Sequence, residues 1–73
     1  MEKWTAVFEQ AEGWWIGYVE ELPGANAQER TLEEARASLR EAVQLVLDAN
    51  REIARRDAEG HQVIREELVL SGA

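Results

Sequence analysis

Glu20-Glu21-Leu22-Pro23-Gly24 is followed, a few residues on, by Thr31-Leu32-Glu33-Glu34-Ala35. The first stretch stops a strand and turns it. Pro at the first central position of a turn and Gly at the second fit type II geometry, because Pro fixes φ and Gly accepts positive φ. The second stretch starts a helix. Thr-x-x-Glu ahead of an apolar periodic run is a capping box, in which the Thr31 hydroxyl accepts from the Glu34 backbone N–H and the Glu34 carboxylate reaches back. The chain therefore passes from sheet to helix between residues 20 and 35.

Upstream, Trp4-Thr5-Ala6-Val7-Phe8-Glu9 and Trp14-Trp15-Ile16-Gly17-Tyr18-Val19-Glu20 alternate and are rich in strand-favouring residues. Gln10-Ala11-Glu12-Gly13 reads as the hairpin connection. A four-residue loop sets Phe8 opposite Trp15, and a three-residue loop sets it opposite Ile16. A slip of one residue exchanges faces, so both registers stay open. The preferred core face is Trp4, Ala6, Phe8, Trp15, Gly17 and Val19, because Thr5 and Glu9 on the other face are poor core residues. Trp14 and Trp15 are adjacent, so they point to opposite faces. One of them, with Ile16 or Tyr18, stands on the outer face or rim. There it marks a protein interface or is shielded by a neighbouring charged side chain.

Downstream, Ala25-Asn26-Ala27-Gln28 reads as a short edge strand. Leu32, Ala35, Leu39, Ala42, Val43, Val46 and Leu47 form a helical stripe that Ile53 extends. Glu33 and Glu34 suit the positive end of the helix dipole, and Arg55 and Arg56 the negative end. The helix runs to about Ala58, with Gly60 as its stop. Glu66 to Leu70 reads as a final strand. The expected fold is α+β, in the order β-β-β-α-β: a small, mostly antiparallel sheet with one long helix packed on one face.

At 73 residues the chain is one small domain, of a size that buries only about 60 % of its unfolded surface. It has no cysteine, so neither disulfides nor a Cys-based metal site can support it. Oligomerisation is the remaining common support, and a homodimer or tetramer is expected. There is no signal-like start and no apolar run near roughly 18 residues, so the expected setting is cytoplasmic, with no membrane contact. The formal net charge of −7 disfavours direct binding to nucleic acid and suits a basic partner. Solubility alone also accounts for that charge.

Chemistry finds little support. Two-metal catalysis needs several converging carboxylates, whereas Glu9 and Glu20 sit near strand ends and the only aspartates, Asp48 and Asp57, lie on the helix. His61 follows Gly60 in a polar turn, and neither Ser38 nor Ser71 has a base partner in sequence. The glycines match no phosphate-binding spacing. An RNA-stacking platform would need a Lys/Arg strip beside the aromatics, and none is present. The expectation is no catalytic residue, no metal and no cofactor.

The ordered set Trp4 to Phe8, Gly13 to Val19, Glu21-Leu22-Pro23-Gly24, Gln28 and Thr31-Leu32-Glu33-Glu34-Ala35 resembles the HicB-type antitoxin family, over residues 3 to about 50. Two positions depart from the family pattern. Ala25 stands where Cys is frequent, and Glu29-Arg30 replaces the usual Gly-Asp before the Thr. The resemblance implies a partial RNase H-like fold without nuclease activity. It also implies an antitoxin role: binding a small basic HicA-type toxin, an mRNA-cleaving ribonuclease, and blocking its active surface. Longer members add a C-terminal DNA-binding domain, and residues 1–73 are expected to be a single HicB-like domain without one. The candidate partner-binding residues are Trp14, Ile16, Tyr18, Glu20 and Glu21. Two other classes remain open, a homo-oligomeric binding module with an unrelated partner and a divergent RNase H-like nuclease.

Overall fold

The computed structural model describes residues 3–70; Ser71 lies outside them. Three antiparallel strands, β1 (Ala6–Ala11), β2 (Trp14–Val19) and β3 (Asn26–Glu29), form one sheet in the order β1-β2-β3, and α1 (Leu32–Asp57) follows. The helix packs against β2 and β3. This is the expected α+β class, with the sheet and helix in the expected order.

The β1–β2 connection is shorter than either loop considered above. Glu12 and Gly13 alone make the turn, with φ of 52° and 83°. Positive φ at both central residues is the type I′ signature, whose twist matches that of the strands it joins. Phe8 therefore pairs with Gly17, Gln10 with Trp15 and Ala6 with Val19. The expected pairings of Phe8 with Trp15 or Ile16 are both corrected. A shift of two residues from the four-residue-loop register leaves side-chain faces unchanged. Phe8, Trp15, Gly17 and Val19 consequently share the helix-facing side, and Val7, Glu9, Trp14, Ile16 and Tyr18 share the other.

At the second turn, the Ala25 N–H donates to the Leu22 carbonyl at 3.3 Å, and Gly24 has φ of 98°. This is the expected type II turn around Pro23-Gly24. It folds Leu22 and Ala25 inward, where they join Val19 and Leu39 in the buried core. Phe8, Ala27, Ala42, Val43, Val46 and Leu47 pack around that centre, half-buried. Ala25 is wholly enclosed.

Thr31 caps α1 in extended conformation. Its hydroxyl accepts from the Glu34 N–H at 3.1 Å and donates to the Glu34 carboxylate at 3.0 Å. The carboxylate thus reaches back to the hydroxyl. Thr31→Ala is expected to cost about 1 kcal/mol, seen as a lower urea midpoint at unchanged m-value; an unaltered midpoint would show that the first turn holds without its cap. At the other end, Ala58 is the C-cap and Gly60 takes φ of 80°, which agrees with the expected stop.

Four expectations are corrected by the tertiary arrangement. Trp4, assigned to the core face, precedes β1 and is exposed. Ala6 is exposed as well, because the helix lies over β2 and β3 and leaves the start of β1 uncovered. Ile53, on the extended stripe, is also exposed, since every residue from Asp48 to Asp57 projects past the sheet. Finally, no strand follows α1 among the described residues. Residues 62–70 are unpaired and exposed, and the tail passes beside Arg51, Ala54 and Arg55 of the helix. A helix already bonds its own backbone groups and offers a strand no ladder to join.

Candidate functional site

Helix α1 covers one side of the sheet and leaves the other in view. In that outer face, Val7, Tyr18 and Asn26 form one cross-strand row, and Glu9, Ile16 and Gln28 the next. Ile16 and Tyr18 are 37 % and 40 % exposed, a high value for large apolar side chains at the centre of a sheet. Glu9 and Gln28 flank Ile16 and are exposed too. The structure thus brings Trp14, Ile16 and Tyr18 onto one face, as expected from alternation.

Trp14, paired with Ala11 on the same face, is not a free anchor there. The Arg30 guanidinium lies 3.7 Å from the centroid of the Trp14 ring, and its Nη1 donates to the Gly13 carbonyl at 3.3 Å. A cation over the ring face shields the tryptophan and ties the hairpin turn to the end of β3. Of the two readings offered for the outer tryptophan, this arrangement is the charged-side-chain shield. Glu29-Arg30 is the pair noted above as a departure from the HicB-type pattern. The Glu29 carboxylate accepts from the Ser38 hydroxyl at 2.6 Å, linking β3 to α1. The departures therefore replace a turn-forming pair with two side chains that each make a tertiary contact. Neither contact was legible without the register.

Glu20 and Glu21 have different duties. The Glu20 N–H donates to the Thr5 carbonyl at 3.0 Å, which continues the β1–β2 ladder, and its side chain is exposed. Glu21 clasps the entry to β1, with its carboxylate accepting from the Thr5 hydroxyl at 2.6 Å and the Thr5 N–H at 2.7 Å. Those two bonds, the hydroxyl's first, hold the Glu21 carboxyl below the ordinary glutamate value of 4.5. A depressed folded pKa means stability present above the unfolded value and lost as pH falls through the folded one. An NMR titration should show the Glu21 carboxyl with a midpoint below the ordinary glutamate value, and Thr5→Val should bring it upward. An unmoved midpoint in that variant would remove the hydroxyl as the cause.

Among the described residues, no group of three or more His, Asp or Glu side chains is placed to hold a metal ion. His61 sits in the turn after α1, where its backbone N–H donates to the Ala58 carbonyl at 3.0 Å, and its side chain is exposed. No helix among the described residues is long and apolar enough to cross a membrane.

No protein-family model matches the chain, and no solved structure matches it. Among curated proteins, it is 46 % identical over 54 residues to UPF0150 protein ssl0738 of Synechocystis sp., an alignment covering 71 % of this chain and 74 % of that one. An alignment of that length exceeds the sheet or the helix alone, so the likeness extends across more than one element. With nearly half the aligned positions identical and about three-quarters of the relative covered, the chain belongs to the UPF0150 family.

Proposed function

We propose that the chain is a non-catalytic protein-binding module that captures and neutralises a small basic HicA-type, mRNA-cleaving toxin. The observation that carries this reading is the outer sheet face, where Ile16 and Tyr18 remain exposed beside the carboxylate of Glu9. Aromatic and aliphatic side chains supply a desolvated centre, and acidic groups at the rim meet cations that otherwise engage RNA phosphates. The net charge of −7 favours the encounter. The HicB-type resemblance supports the partner class.

Within the proposed surface, Ile16 and Tyr18 are the anchors and Glu20 is the rim charge. Trp14, with a ring face covered by Arg30, contributes only at the rim. Glu21 is a poor test position, because reversing it also breaks the Thr5 clasp. The test is co-expression of the chain with a toxin-like protein encoded beside it, reading growth and binding kinetics. Wild type should rescue growth. Glu20→Lys should slow association and weaken its salt dependence, since rim charge acts through steering. Tyr18→Ala should raise the dissociation rate. A wild-type chain that neither binds nor rescues sinks the assignment for that pair. The non-catalytic part is checked by incubating the protein with Mg²⁺ or Mn²⁺ and an RNA or RNA–DNA hybrid. Cleavage lost in Glu9→Gln or Glu20→Gln would replace this reading with a nuclease.

A further inference from the structure

The chain exposes 6301 Å², whereas a compact monomer of its 8.3 kDa mass exposes about 4,600 Å². Its radius of gyration is 15.8 Å, against about 11 Å for a compact domain of this length. The excess, about 1,700 Å² per chain, falls within what an obligate dimer buries on each partner. Four of the five most exposed large apolar side chains among the described residues lie in one region. The second half of α1 projects past the sheet, and beside it Ile64, Leu68, Val69 and Leu70 are each 66 % exposed or more.

We infer that this region is covered by a second copy of the chain, with residues 63–69 of the two copies pairing as antiparallel strands about a two-fold axis at Glu66. Residues 62–70 are strand-like in composition and have unpaired backbone groups, and a second identical segment completes the ladder. The register follows from charge and apolar matching. Centred on Glu66, Arg65 of each copy faces Glu67 of the other, Ile64 faces Leu68, and Val63 faces Val69. Moving the axis to Glu67 sets Glu66 against Leu68 and Arg65 against Val69. Moving it to Arg65 sets Ile64 against Glu66 and Val63 against Glu67. The chosen register leaves only Glu66 facing itself, and it uses none of the residues of the outer sheet face.

The two-fold axis makes a clean test possible, since each substitution acts twice. Sedimentation equilibrium of the full chain should show a dimer at micromolar concentration. Arg65→Glu and Glu67→Arg should each raise the dimer dissociation constant roughly tenfold, because each puts two like-charged pairs in register. The double reversal Arg65→Glu/Glu67→Arg should return it near wild type. Circular dichroism should show the same helix in all four proteins, as the tail lies outside the core. A monomeric wild type overturns the inference, and so does a dimer indifferent to both single reversals. A double reversal as weak as the singles overturns the pairing about Glu66.

Discussion

Leu39→Ala is expected to lower stability by about 3 kcal/mol, the middle of the range for truncating a well-enclosed leucine. Leu39 is 3 % exposed and sits with Val19, Leu22 and Ala25 at the centre of the only buried cluster among the described residues. It is the point where the helix meets both the sheet and the Pro23-Gly24 turn. A domain of this size has roughly 4–11 kcal/mol in hand, so the loss removes a large share of it. The core is too small to redistribute the void, and the neighbours on α1, Val43 and Val46, are already half exposed to solvent. Urea denaturation at fixed protein concentration measures the effect. A midpoint equal to wild type would mean that the helix presents a different face to the sheet.

Gly17→Val is expected to cost about 2 kcal/mol or more, although strand propensity alone argues the other way. Val outranks Gly in strands by up to about 1 kcal/mol, and Gly17 lies in the middle strand. Space decides the sign. A Cβ at residue 17 would stand 2.9 Å from Cε1 and 3.0 Å from Cδ1 of Phe8, and 3.5 Å from a Leu39 methyl. Phe8 is the cross-strand partner of Gly17, and its ring occupies the place a side chain would take. To admit the valine, that ring has to leave its packing against the core. Phe8→Leu in the same chain should recover part of the loss, giving a coupling energy that the single variants do not show. Equal or greater stability in Gly17→Val would mean the ring moves aside freely.

Both predictions depend on which groups meet across the fold, and they mark where sequence reading ended. The Leu22–Ala25 turn, the Thr31–Glu34 cap, the stop at Gly60 and the division of β2 into two faces all followed from residues within a few positions of one another. Short-range sterics and hydrogen bonds set such features, so a local stretch carries them. For Phe8, Trp15, Gly17 and Val19 the expected face of the hairpin also holds, even though the register differs, because a two-residue shift preserves alternation; Trp4 and Ala6 of the same face are exposed.

The remaining features required groups distant in sequence. The two-residue turn depends on Glu12 accepting positive φ, a conformation uncommon outside glycine, and strand pairing selected it over longer loops. With that register, Arg30 could settle over Trp14 and cover a face of its ring. Likewise Glu21 is a structural clasp only because Thr5, 16 residues away, is delivered to it. The exposure of Trp4 and Ile53 comes from the geometry of a 26-residue helix on a three-stranded sheet. The tail shows the division most plainly. Its composition determines that Glu66–Leu70 suits a strand, whereas pairing needs an edge to bond to, and only the tertiary structure could decide that this chain's own fold brings none to it.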